Sequence, residues 1–242
     1  MLSSSVFEFP KSRSVFADRQ LSPYEIVDEL PDVPALPETL LAMELQLRES
    51  SVDLSGISAS VLSDLGATIQ ILRLAGREYG DSEDRPIRIE DCICDLGLDA
   101  CIEAASSGTR VRGVRNRAMF ELWTHSREIA QGCKFLAEEQ PGHFNSCEAY
   151  LVGLLHGIGG LPGVLGWDRS DLAVGRSYAA LEMAEIWAFP EFLKEFFRES
   201  CMPEARPRWA RLLDTTHELA MDSWAVCPMS EIVAPTAAFV QG

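Results

Sequence analysis

The stretch Leu154-Leu155-His156-Gly157-Ile158-Gly159-Gly160-Leu161 decides the reading of this chain. It closes an apolar helical run predicted over Glu148 to Leu155, and it sets a histidine at the helix end with a glycine directly after it. Upstream lies His125, in Leu122-Trp123-Thr124-His125-Ser126. From Met119 to Glu139, Leu122, His125, Ile129, Cys133 and Leu136 recur at three- and four-residue spacing, so His125 shares a face with the core positions of one amphipathic helix. Two histidines on successive helices, both on inward faces, form the first candidate site.

Working outward, helix signals dominate. Leu30-Pro31-Asp32-Val33-Pro34-Ala35-Leu36-Pro37 is rigid and extended, because each proline fixes its own φ and biases its predecessor away from helix. Helices follow over Pro37 to Glu49, from Asp53 as cap through Leu62, from Ser63 or Asp64 as cap through Arg77, over Ile89 to Leu96 before Gly97, and from Asp99 to Ala105. Asp171 to Trp187, Pro190 to Ser200 and Arg206 to Trp224 complete the second half. No alternating strand pattern competes, so the class is all-α: a multi-helix bundle with an N-terminal subdomain of short helices. Residues 1–21, serine-rich and weakly patterned, read as a tail or linker remnant. Ser22-Pro23-Tyr24-Glu25 has the layout of a capping box and opens the domain, 22–242. That domain divides into a helical half (22–106), an arginine-rich connector (107–117), a second half (118–225) and a C-terminal tail (226–242).

Composition narrows the function classes. The formal charge of −16 works against general attraction to nucleic acid or anionic lipid and favours a partner carrying a basic patch. The local exception is Arg110, Arg112, Arg115 and Arg117, a candidate anion or partner contact, because guanidinium forks match phosphate and carboxylate geometry. The competing reading is a solvated loop. The sequence offers no charged-then-apolar leader and no uninterrupted apolar run of membrane-spanning length, so a cytoplasmic location and no membrane association are expected. The seven cysteines are scattered without a Cys-x-x-Cys pair and read as reduced thiols. Cys92 and Cys94 point about 200° apart on a helix, which disfavours a shared disulfide or metal. The glycines from Gly153 to Gly166 lack the strand before and the Lys-Ser/Thr after that a phosphate loop needs, and are expected to serve a tight turn.

In order along the chain, several motifs together resemble the HDOD family, the HD-related output domain of bacterial signalling proteins. They are Leu30 to Pro37; Ser63-Asp64 through Leu72-Arg73-Leu74-Ala75; Arg85-Pro86-Ile87 with Ile89 through Leu98; Leu122 to Ser126; and Leu151 to Leu161. The resemblance spans residues 22–225 and implies an HD-like helical bundle. HD-type phosphohydrolases hold a divalent ion with histidines and an adjacent His-Asp pair, polarising a phosphoryl oxygen and acidifying bound water.

Here the pair is His156-Gly157, with no carboxylate. The next family histidine falls near Arg176, and the late family aspartate corresponds to His217. His125, His156, Gly157, Arg176 and His217 are therefore the candidate remnant pocket. Asp95, Asp99 and Glu148 are the acidic residues considered as substitutes. Imidazoles without a carboxylate suit magnesium or manganese poorly, so no catalytic residue, metal or cofactor is expected. The resemblance implies a non-catalytic signalling module acting through a protein partner, with room for a small ligand in the degenerate pocket. Two alternatives stay open: a metal-dependent phosphodiesterase acting on a nucleotide or cyclic dinucleotide, and a nucleic-acid-associated regulator using Arg110 to Arg117.

Overall fold

The structure, a computed structural model, describes residues 30–49, 52–80, 82, 84–108, 114–167, 175–202 and 208–224, with backbone alone at 114–116 and 221–224. The predicted Ser22 cap and both tails lie outside the described residues. Among the described residues there is no strand. The helices are α1 (Pro37–Leu47), α2 (Leu54–Leu62), α3 (Leu65–Tyr79), α4 (Ile89–Leu96), α5 (Leu98–Ser106), α6 (Val114–Glu138), α7 (Ser146–Leu155), α8 (Leu161–Leu165), α9 (Arg176–Ile186), α10 (Glu191–Ser200) and α11 (Arg208–Trp224). A 3-10 turn, Ile158–Gly160, joins α7 to α8.

Caps read from the sequence form as the physics requires. Asp53 accepts from the Gly56 amide at 3.1 Å, and Asp64 accepts from Gly66 and Ala67 at the start of α3. Gly97 ends α4 at φ 86°, a left-handed value that costs glycine nothing. Three starts differ from expectation: α7 begins at Ser146 rather than Glu148, α9 at Arg176 rather than Asp171, and α6 at Val114 rather than Met119. Val114 already belongs to α6, so the arginine-rich connector is shorter than 107–117 and Arg115 and Arg117 sit in the first turn of a helix. Arginine is a good helix former, and Arg117 Nε pairs at 2.8 Å with Glu121 one turn on.

The extended segment from Leu30 to Leu36 is strapped along α3. Gln70 donates to the Val33 carbonyl at 3.0 Å and Arg73 to Asp32 at 2.9 Å. Gly66 brings the backbones together: a Cβ there would stand 2.0 Å from the Pro34 oxygen. Asp64, wholly buried, ties this unit to the second half. Besides its cap bonds it accepts from the Leu36 amide at 2.6 Å and from the Trp123 indole at 2.9 Å. Burial raises the Asp64 carboxyl above the usual range, and the donors around it, Leu36 first, pull the other way. Tyr150 on α7 donates to the Leu62 carbonyl at 2.8 Å, a second bond between the halves.

One continuous apolar core runs through both halves. It holds Ile69, Ile71 and Leu72 of α3, Trp123, Ile129 and Cys133 of α6, Leu151, Leu154 and Leu155 of α7, and Trp187, Phe189 and Phe197 beyond. Ser146–Leu165, the one helical stretch among the described residues long and apolar enough to cross a membrane, has 67% of its most apolar window buried, as a core helix does. Trp187 and Trp209 are also buried, and the Arg73 guanidinium lies 5.4 Å over the Trp187 ring. Cys92 is buried with its thiol directed at the Pro86 carbonyl, and burial pushes it up to about 12. Cys94 is partly exposed, in contrast to the buried Cys92.

Candidate functional site

Three histidines from three helices converge. His125 comes from the second quarter of α6, His156 caps α7, and His217 lies in the second half of α11. One ligand nitrogen from each lies within 4.8 Å of the other two, and the ring centroids stand 5.1 to 5.5 Å apart. All three side chains are partly exposed, so the cluster faces solvent on one side.

Glycines let the three helices come this close. A Cβ on Gly153 of α7 would stand 2.7 Å from Ala130 Cα and 2.9 Å from the Ile129 carbonyl, so α7 rests on the α6 backbone one turn before His156. A Cβ on Gly132 would stand 2.5 Å from Thr216 Cγ2, which places α11 against α6 beside His217. The buried Cys133 thiol and Thr216 hydroxyl meet there at 3.4 Å.

Two rings have fixed tautomers. His156 Nδ1–H donates to the Gly153 carbonyl at 2.6 Å and His217 Nδ1–H to the Leu213 carbonyl at 2.9 Å. A carbonyl only accepts, so the proton sits on Nδ1 and the Nε2 lone pair is left available on both rings. Burial, more than the neighbouring imidazoles, pulls His156 down to about 4, and burial and His217 pull His125 down as well. His156 and His125 are thus held neutral. This sets a sign for acid stability. With folded-state values below the unfolded value of about 6.5, the unfolded chain takes up protons first, so the contribution is complete above that pH and fades as pH falls toward 4. In chelator, a urea midpoint at pH 5 is expected to reflect a loss on the order of 2 kcal/mol relative to pH 7.5, and His156→Gln to flatten the difference.

The remaining predicted residues divide. Gly157 directly follows His156, with φ −90° and ψ 2°, values open to any residue. It is therefore not the turn residue expected. A Cβ there would meet Leu122 Cδ1 at 3.3 Å and the buried Ser126 hydroxyl at 3.8 Å, so a side chain could be housed with a slight shift of one methyl. The turn glycine is Gly166, at φ 70°, and the close approach belongs to Gly159, whose Cβ would fall 2.0 Å from the Arg176 carbonyl.

Arg176 contributes that backbone contact and carries an exposed side chain at the start of α9. Among the described residues the imidazole group holds no carboxylate. Glu148 lies at the opposite end of α7, and Asp95 and Asp99 lie on α4 and at the start of α5. Arg117 is exposed and paired with Glu121; Arg110 and Arg112 lie outside the described residues, as does the Arg115 side chain.

Sequence reasoning missed a groove of about 620 Å³ between α6 and α11, lined by Arg127, Gln131, Phe135, Leu136, Leu219 and Ala220 among others. Phe135 and Leu219 stand 60% and 52% exposed at its rim. The amphipathic pattern gave a signal: Phe135 is a large apolar side chain on the polar face of α6.

The oxygen-preferring ion of HD-type phosphohydrolases does not fit this donor set, which offers imidazole and no carboxylate. An all-helical bundle in which histidines from three helices converge is the class that fold and site define. The HDOD domain family model matches residues 33–166, and the chain belongs to that family. It is 23% identical over 217 residues to an uncharacterized protein of Treponema pallidum (strain Nichols), covering 78% of this chain and 42% of that protein; the chain thus spans less than half of that relative's length. Its fold is similar to that of the MmoQ response regulator of Methylococcus capsulatus str. Bath (TM-score 0.62, 21% identity, 85% of this chain and 88% of that one). It is also similar to that of a virulence factor of Campylobacter jejuni subsp. jejuni (TM-score 0.56, 16% identity, 80% and 78% covered). The family fits a signalling or regulatory module.

Proposed function

We propose that this chain is a non-catalytic regulatory module that relays a signal through contact with a protein partner. The observation that carries the reading is the glycine at 157 beside a cluster of three imidazoles, where metal phosphohydrolases need a carboxylate. Gly157 has no conformational reason to be glycine and has room for a side chain, so the carboxylate is missing for no structural need. Two features support recognition of a protein. The exposed Phe135 and Leu219 flank an open groove, the kind of apolar anchor site that interfaces use. The net charge of −16 selects a basic partner surface and speeds its encounter.

The test is a photocrosslinking residue placed at Phe135 in the producing cell. A discrete protein adduct is expected there, lost when Leu219 is changed to Asp, and absent when the probe sits at the exposed Glu103 of α5. Equal, diffuse labelling at both positions, or none at either, would count against the reading.

A further inference from the structure

We infer that His125, His156 and His217 form an all-imidazole site for one borderline transition ion of the zinc class, with a coordination position open to solvent. The inference goes beyond the regulatory reading and stands on separate observations. A ligand triad needs three lone pairs aimed at one point, held by rings that cannot swap tautomer. Here one nitrogen of each ring lies within 4.8 Å of the other two, and on His156 and His217 Nδ1 is committed to a backbone carbonyl, which leaves Nε2 to act as the ligand. A carbonyl acceptor behind a histidine is the arrangement that orients metal ligands and raises their basicity.

A four-coordinate zinc holds its nitrogens about 3.4 Å apart, given bonds of about 2.05 Å. The rings therefore need to close by at most about 1.4 Å, which is within reach of small χ changes in side chains that are only partly buried.

The donor set also chooses the ion. Imidazole suits zinc, copper, nickel and cobalt, whereas magnesium and calcium require oxygen and keep their water. Replacing both carboxylate positions by Gly157 and His217 therefore changes which ions the bundle holds, not merely how tightly. His217, on α11, makes the difference between a pair of histidines and a triad. The partial exposure of all three rings leaves the fourth position to water or to an anionic ligand.

The test is a titration of chelator-stripped, full-length protein with zinc, and separately with cobalt as a spectroscopic probe. The Cys147→Ser background removes, as a competing ligand, the cysteine that is fully exposed among the described residues. One equivalent of each ion is expected to bind, with cobalt showing ligand-field bands and no thiolate charge-transfer band, and millimolar magnesium is expected not to displace it. His125→Ala and His217→Ala should each weaken binding by about 100-fold or more, with far-ultraviolet circular dichroism unchanged. His217→Asp keeps a ligand and should retain most of the zinc affinity, separating loss of a donor from loss of folding. Absence of stoichiometric zinc binding, binding unaffected by the alanine variants, or a thiolate spectrum in the cobalt form would each overturn the inference. Zinc binding without a partner adduct at Phe135 would sink the regulatory reading while leaving this one standing.

Discussion

Replacing Asp64 by alanine is expected to lower the free energy of unfolding by about 4 kcal/mol, among the largest effects available to a single side chain here. The carboxylate is wholly buried and accepts from four donors: the Leu36, Gly66 and Ala67 amides and the Trp123 indole. Alanine leaves all of them without that acceptor, in a place that water does not reach. Loss of the α3 cap alone costs about 1 kcal/mol, and each additional buried orphan about 1–3. A domain of ordinary stability, about 5–15 kcal/mol, would lose a large part of its margin. The urea midpoint of Asp64→Ala against wild type checks this, with Asp53→Ala as the comparison. Asp53 caps α2 at the surface and accepts from the Gly56 amide, so its loss should cost about 1 kcal/mol. Comparable shifts for the two variants would refute the hub role. The consequence reaches the site, because Trp123 stands two residues before His125 on α6 and Asp64 fixes where that turn lies.

Gly153→Val is expected to cost about 3 kcal/mol and to separate His156 from His125. The new Cβ would meet Ala130 Cα at 2.7 Å and the Ile129 carbonyl at 2.9 Å, atoms of a helix backbone that cannot rotate away. The two helices must part or the contact must strain; over-packing of this kind costs about 1–3 kcal/mol and more where backbone is the obstacle. The gain in helix propensity on leaving glycine, less than about 1 kcal/mol, does not offset it. Thermal unfolding gives the stability effect, and the ion affinity of the folded variant gives the effect on the site. Gly163→Val, at a position whose Cβ would meet nothing within 4 Å, is the control and should leave both unchanged.

Local signals made the fold legible in the sequence. Asp53 and Asp64 announced their helices because a carboxylate before an apolar run satisfies orphan amides, and Gly97 marked an end because only glycine takes its φ without strain. The α6 start was misplaced because Gly108 and Gly113 read as loop, while Arg115 and Arg117 favour helix.

The site was legible only in part, for a different reason. His125 and His156 could be placed inward by periodicity, whereas His217 entered the candidate pocket only through the family resemblance, because its arrival depends on how α11 packs on α6 at Gly132, a tertiary fact that no spacing encodes. Arg176 looked equivalent by alignment of motifs, yet it enters the structure through its carbonyl against Gly159. The glycines between 153 and 166 are indistinguishable by residue type. The structure gives them separate tasks: close approach at Gly153 and Gly159, a left-handed cap at Gly166, and at Gly157 simply the absence of a carboxylate.

That absence is the centre of the account, and phosphodiester hydrolysis by the purified protein tests it most directly. With magnesium, manganese or zinc at saturating concentration, and a cyclic dinucleotide and a chromogenic diester as substrates, the rate is expected to equal the protein-free blank. A rate that rises linearly with protein concentration and is lost in His156→Ala would contradict it.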